Sequence, residues 1–198
     1  MFSSAAYWET RYKNGRSSGW GSYGKLAAFK AETVNNLIET YNIYSMIDFG
    51  CGDGNQLQFF KVPKYLGVDV SETAIKKCTE LYKNDPTKTF KQVKHPEYLK
   101  GYTAELILSL DVLFHLVEDD IYSAYMDSLF TAAQRFVVVY SSNFDKKTAA
   151  HERERKFTDY VTNKFTKWAL TEKINNPWPI SKHTDGSLSD FYIYQRKL

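Results

Sequence analysis

Cysteine is scarce in this sequence, and the two present, Cys51 and Cys78, form no C-x-x-C pair. Neither a zinc site nor a disulfide framework is indicated, and no metal is expected. Long apolar runs are missing as well, since nothing approaches the ~20 residues of a membrane span. The start, Met1-Phe2-Ser3-Ser4, has neither the basic n-region nor the apolar core of a secretion signal, so a cytoplasmic location is expected. Charge of one sign is also lacking. The chain has 26 Lys and Arg against 23 Asp and Glu, a net charge of +3. That balance is too weak to argue for nucleic acid, and neither an RNA-binding module nor a basic tail is visible.

With 198 residues, 43% hydrophobic and 25% charged, the chain suits one soluble α/β domain and is short for two. No internal repeat or composition break divides it. The expected division is an arm over residues 1–24 and a core over 25–198. Aromatic residues are plentiful, and 15 Tyr and 4 Trp exceed the needs of a small core. Some are expected to line a pocket.

The stretch Met46-Ile47-Asp48-Phe49-Gly50-Cys51-Gly52-Asp53-Gly54-Asn55 runs from apolar residues through an acid into glycines on alternate positions. Residues without Cβ permit φ > 0 and close approach of backbone to a ligand, so the turn is expected to seat a cofactor on bare N–H groups. A dinucleotide fingerprint, G-x-G-x-x-G, would place its third glycine where Asn55 stands. A Walker loop would need Gly-Lys-Ser/Thr, which is absent. Cys51, inside the turn, reads as a small buried filler rather than a nucleophile. About twenty residues on, Tyr65-Leu66-Gly67-Val68-Asp69-Val70-Ser71 is a second apolar run ending in an acid, placed to accept ribose hydroxyls.

The pattern D-x-G-x-G-x-G with this following acid resembles the first motifs of the class I S-adenosylmethionine (SAM) dependent methyltransferases. The resemblance implies a doubly wound α/β fold: a seven-stranded, mostly parallel sheet with an antiparallel last strand and helices on both faces. It implies SAM as cofactor, with Gly50, Gly52 and Gly54 about its methionine part, Asp69 on its ribose, Leu110 on the wall beside the methyl donor, and Asp48, Cys51 and Val70 also at the cofactor. Family members often have an acid after strand three to meet adenine. This chain has Lys94-His95-Pro96-Glu97-Tyr98 there, leaving backbone amides or Glu97 as the alternatives.

The remaining elements follow from periodicity. Apolar residues at Leu26, Phe29, Val34, Leu37 and Tyr41 predict a helix over 25–41, with Lys30 and Glu32 on its solvated side unless Lys30 turns toward the glycine turn. Strands are expected at 45–49, 65–70, 89–94, 104–110 and 135–142, and a last pair at 168–174 and 190–195. Further helices are expected at 55–60, after a Ser71 cap, over 118–134, and from Phe157 through Trp168.

Three segments are candidates for chemistry. The N-terminal Tyr7-Trp8-Glu9-Thr10-Arg11-Tyr12 and Trp20-Gly21-Ser22-Tyr23 resemble an arm that folds over the cofactor in many class I methyltransferases. By that resemblance Arg11 would pair the methionine carboxylate, and Tyr12, Trp20, Ser22 and Tyr23 would cover the methyl donor or meet the acceptor. Packing of Trp8 and Tyr12 under the first helix is the alternative. After strand four, Asp111-Val112-Leu113-Phe114-His115 resembles the family's acid and imidazole beside the transferring methyl, with His115 or Asp111 orienting or deprotonating the acceptor. The alternative is a His115 bonded to a neighbouring loop. Finally, His151, Arg153 and Arg155 would share one side of an extended segment and suit a carboxylate or phosphate, or else form wet surface.

The expected activity is methyl transfer to a small, anionic acceptor, phosphorylated or nucleotide-linked, at oxygen. A tRNA or rRNA methyltransferase and a non-catalytic SAM-binding subunit are the other readings. Oligomeric state is not legible.

Overall fold

The computed structural model describes residues 2–95 and 101–197. Its centre is a seven-stranded sheet in the order β3-β2-β1-β4-β5-β9-β8. The strands are β1 (Ser45–Phe49), β2 (Lys64–Asp69), β3 (Lys88–Gln92), β4 (Ala104–Leu110), β5 (Ala133–Ser141), β8 (Trp168–Ile174) and β9 (Asp190–Arg196). The pairs β1–β2, β1–β4, β2–β3 and β4–β5 are parallel, while β9 runs antiparallel between β5 and β8. The order reverses between β1 and β4, and parallel sheets hold ligands outside the carboxyl ends of their strands at such a reversal.

Strand periodicity divides the core into two layers. Met46, Leu106 and Leu108 face Val34, Ile38, Ile75 and Cys78 of α2 (Gly24–Tyr41) and α3 (Glu72–Leu81). Ile47 and Ile107 face Met126, Leu129 and Val161 of α4 (Asp119–Ala132) and α5 (Phe157–Lys164). A further helix, α1 (Ser4–Lys13), leads the chain and is capped by Ser3, whose side chain accepts from the Ala6 N–H at 3.3 Å. Ser71 caps α3 as expected, accepting from the Ala74 N–H at 3.1 Å.

Two helices differ from expectation in detail. The helix at 55–60 is a four-residue 3-10 turn, Gln56–Phe59. Pro63 follows closely and drives the residue before it out of the helical region, so no helix dipole is aimed at the glycine turn. The charge run after β5 is a hairpin, β6 (Lys146–Ala149) with β7 (Glu152–Glu154). The helix from Phe157 stops at Lys164, and Trp168 opens β8 instead. Glu97, offered as an adenine contact, lies outside the described residues. Among the described residues no helix is long and apolar enough to cross a membrane.

Candidate active site

A cavity of about 290 Å3 lies at the carboxyl ends of β1, β2 and β4, roofed by α1 and the glycine-rich segment after it. The end of β1 contributes Asp48, Gly50, Cys51 and Gly52 to its wall. Gly50 and Gly52 have φ of +85° and +58°. A Cβ on Gly50 would stand 2.5 Å from Val112 Cγ2, and one on Gly52 would stand 2.3 Å from Ser18 Oγ. Only a residue without a side chain lets the backbone reach the cavity at both positions. Gly54 is placed elsewhere. It lies off the wall, where its missing Cβ makes room for Cys78 of α3.

The turn does not present bare N–H groups, contrary to expectation. Gly50 and Cys51 both donate to the Val68 carbonyl at 2.7 and 3.1 Å, and Gly54 donates to Cys51. Gly52 donates to Asp69 Oδ2 at 3.0 Å and Asp53 to Ser18 Oγ at 3.0 Å. The glycines thus serve close approach rather than anion capture, because buried amides are paired wherever the protein supplies an acceptor. A phosphate would find no donor in this turn.

The charge on the wall points the same way. Asp48, Asp69, Asp111 and Glu118 line the cavity against Lys30 and Lys94, a negative balance that favours a cation. Asp69 accepts from the Gly52 and Ser71 N–H groups at 3.0 and 2.9 Å and keeps lone pairs for further donors. Burial pushes the carboxyls of Asp69 and Asp48 up to about 6 each, against the hydrogen bonds they receive. Tyr65 donates to Asp48 at 2.9 Å. Val70 and Leu110 complete the wall beside these acids. Cys51 is a buried free thiol pushed well up by its hydrogen bond to Cys78 and by burial, which suits a filler.

The acceptor end, as read from sequence, is more structured than expected. Asp111 adopts φ +59°, a conformation a side chain rarely takes. It is fixed by Lys30 Nζ at 2.8 Å and by the Ser189 hydroxyl, which donates at 2.9 Å. Lys30 was expected on the solvated side of α2. Instead it is 1% exposed on the cavity wall, its charge balanced by Asp111. A signal existed, because residue 30 falls on the helical stripe of Leu26, Val34 and Leu37. His115 also lines the cavity, in a 3-10 turn, Leu113–His115. Its Nδ1 lies 3.4 Å from the His151 carbonyl, and burial lowers its pKa. A carbonyl only accepts, so Nδ1 carries the proton and Nε2 keeps a lone pair.

The arm closes this space. The Ser4 N–H donates to Glu118 at 2.8 Å, and its hydroxyl, with one proton to give, lies 2.7 Å from the His115 carbonyl and 2.5 Å from the same carboxylate. Ser71 and Thr73 donate to Glu9 at 2.6 and 2.9 Å. Asp53, overlooked in the sequence, accepts from the Ser18 N–H at 3.1 Å and the Tyr23 hydroxyl at 2.7 Å. Burial opposes its charge, yet these bonds hold its carboxyl below the ordinary range. Trp8, Tyr12 and Ser22 reach the cavity wall.

Other expected site residues are not brought to the cavity. Arg11 donates to the Ser17 carbonyl at 2.7 Å and packs on Trp8. Trp20 is 84% exposed, and Tyr23 is occupied by Asp53. His151 stacks on Tyr7. Arg153 and Arg155 meet Asp119 at 2.8 and 3.0 Å, and Arg155 also donates to the carbonyls of Leu116 and Val117. They brace the loop before α4 and leave no free guanidinium pair for an anion.

Residues 47–137, the stretch carrying the glycine turn, Asp69, Asp111 and His115, match the family model described as a methyltransferase domain. That stretch is a methyltransferase domain, and the enzyme is S-adenosylmethionine-dependent. The methyltransferase shares its fold with solved structures. Magnesium protoporphyrin IX methyltransferase (ChlM) from Synechocystis PCC 6803, with bound S-adenosylhomocysteine (SAH), matches at TM-score 0.71 and 14% identity over 98% of each chain. The N-methyltransferase NodS from Bradyrhizobium japonicum WM9, in complex with SAH, matches at TM-score 0.73 and 11% identity, also over 98% of each. Small RNA methyltransferase HEN1 matches at TM-score 0.66 and 16% identity, over 89% of this chain and 26% of that one. At these identities the likeness is one of fold. No curated protein sequence matches the chain.

The cavity fits the methyltransferase's cofactor. SAM has no phosphate to require free amides, and its sulfonium and ammonium are cations that suit a wall rich in carboxylates.

Proposed function

We propose that this methyltransferase acts on a hydroxyl of a small-molecule acceptor, as a cytoplasmic enzyme in which residues 1–24 close over a single domain. The observation that carries the reading is the fixed Asp111–Lys30 pair and neutral His115 on the wall of one roofed cavity. A cavity of about 290 Å3 under a helix bonded down at its first turn and at Glu9 leaves little room for a macromolecule. The phosphorylated or nucleotide-linked acceptor expected from Arg153 and Arg155 loses its support, because both guanidiniums are engaged away from the cavity.

SAM supplies a methyl group already activated on a sulfonium. The protein's work is then placement and proton removal. Asp69 accepts from the ribose hydroxyls, with Val70 beside them. Gly50 and Gly52 allow the backbone of the turn to lie against the methionine part. Asp111, held by Lys30 and Ser189, accepts a hydrogen bond from the acceptor hydroxyl and orients it. His115, with Nδ1–H directed to the His151 carbonyl, offers Nε2 to take the hydroxyl proton. Trp8 and Tyr12 exclude water.

The test is a screen of hydroxylated metabolites, neutral and phosphorylated, for transfer of labelled methyl from SAM. It is repeated with Asp111→Asn, which tolerates the left-handed conformation. Turnover on a small hydroxyl compound, reduced by roughly 100-fold in Asp111→Asn with SAM affinity unchanged, is the expected result. Transfer to RNA alone, with steep salt dependence, would replace the reading by a nucleic-acid enzyme.

A further inference from the structure

Along α1, Ser4, Trp8 and Tyr12 stand four residues apart, and this one face of the helix lines the cavity. Ser4 approaches the backbone of the His115 turn, its hydroxyl 2.7 Å from the His115 carbonyl. One turn on, Trp8 meets the imidazole itself, with ring centroids 4.8 Å apart and planes at 77°. Tyr7, its neighbour in the chain, stacks on His151 at 4.8 Å and 20°. His151 is the residue whose carbonyl stands 3.4 Å from His115 Nδ1, and the two imidazoles lie nearly parallel, 6.4 Å apart at 11°. Two consecutive aromatic residues of the arm therefore hold the two histidines of that pair, one each.

His115 needs such holding. A bond of 3.4 Å is at the long end of hydrogen bonding and leaves the tilt of the ring to packing. Phe114 packs on it at 4.4 Å but belongs to the same short turn. Trp8 comes from a separate element, and a T-shaped pair fixes both the depth and the tilt of a ring. The charged or titratable groups about the imidazole are Asp111 and Glu152, which favour its cation, and His151, which opposes it. On the arm's side, Glu118 is bonded to Ser4, and Arg11 lies over the Trp8 ring, 5.6 Å from its centroid. Burial outweighs the His151 carbonyl and the two carboxylates and favours the neutral imidazole, and the indole is the arm's share of that burial. His115 nonetheless retains accessible surface and lines the cavity.

We propose that Trp8 is a positioning residue for His115, and Tyr7 for His151, so that His115 Nε2 is held at the cavity only while α1 is docked. The inference rests on the role given to His115 under Proposed function. It makes the arm part of the chemistry: the helix that shuts water out is the one that aims the base, so closure and proton removal come together.

NMR titration of the imidazole Cε1–H signals tests this, with His115→Asn identifying the His115 signal. Wild-type His115 should titrate below the ordinary histidine value of ~6.5. Trp8→Ala should raise its midpoint by about half a pH unit or more, since burial is lost, and Trp8→Phe, which keeps a ring, should stay near wild type. The acid limb of kcat/KM for the hydroxyl compound found in the screen should move up with the midpoint, because the base must be unprotonated. Should Trp8→Ala fail to fold, wild-type protein gives a second readout. Its indole fluorescence, taken as the difference from Trp8→Phe, should fall as His115 gains its proton and show no such step in His115→Asn. An unmoved midpoint in Trp8→Ala, or indole fluorescence indifferent to His115, would overturn the proposal. A moved midpoint with transfer unaffected by His115→Asn would sustain the contact and overturn His115 as the base.

Discussion

Asp69 couples the chemistry of the site to pH. Its carboxyl is raised to about 6 by burial, with Gly52 and Ser71 N–H bonds pulling the other way. Unfolded, the same group ionises near ~3.9. Between those values the folded state keeps a proton that the unfolded state has lost, so stability falls as pH rises through the window and levels above it. Under the proposed ribose contact, binding follows the opposite sign, since only the carboxylate can accept both hydroxyls. SAM affinity measured by calorimetry should therefore drop about tenfold from pH 7 to pH 5, and Asp69→Asn should bind weakly with a flatter profile. A pH-independent wild-type affinity would remove Asp69 from the cofactor contact. Asp111 shows a different use of a carboxylate at the same scale. Its φ of +59° and its fixed partners mark backbone strain sustained by the surroundings, and such outliers concentrate at functional sites.

At the scale of elements, the arm and the β6–β7 hairpin approach the cavity with different roles. The arm supplies wall residues, and its polar ties run to β2–α3, to the glycine turn and to the loop before α4. The hairpin supplies none. It holds the His115 turn from behind, through the His151 carbonyl and through Arg155, whose guanidinium lies 4.3 Å above the Tyr122 ring. Arg155→Ala removes bonds to two loop carbonyls and to Asp119 together with this ring contact. Thermal unfolding should show a loss of about 2 kcal/mol, while KM for the acceptor should stay within about twofold. A large rise in KM at unchanged stability would return Arg155 to the acceptor site. The charge run was readable as a run, but its partners were not. Asp119 lies more than thirty positions away, and sequence spacing carries no information about such a pairing.

For the whole molecule, the cavity joins the carboxyl ends of three strands to the N-terminal arm, so a ligand filling it ties the arm to the central sheet. SAM at about 100 times its Kd should add roughly 2.7 kcal/mol, a rise in the unfolding midpoint of about 5 to 10 °C for a chain of this size. Absence of any rise at saturating SAM would contradict a site that spans arm and sheet.

The sequence by itself determined the seven strands of the sheet, the sharp glycine turn after the first of them and the acid that ends the second, while the doubly wound order followed from the family resemblance. Those features depend on local periodicity and on glycine stereochemistry, which are written in consecutive residues. Asp48, Gly50, Gly52, Val70, Leu110, Asp111 and His115, singled out through the family resemblance, do lie on the cavity wall, in or just beyond the ends of β1, β2 and β4. Tertiary structure alone decided the rest: that the turn's amides are already paired, that Lys30 finds Asp111 as its partner, that Gln56 Oε1 is buried without one, and that the two arginines face a loop. Each of these is a question of which polar group meets which across distant segments. Hydrogen bonding settles that only when packing has brought the partners within about 3 Å of one another.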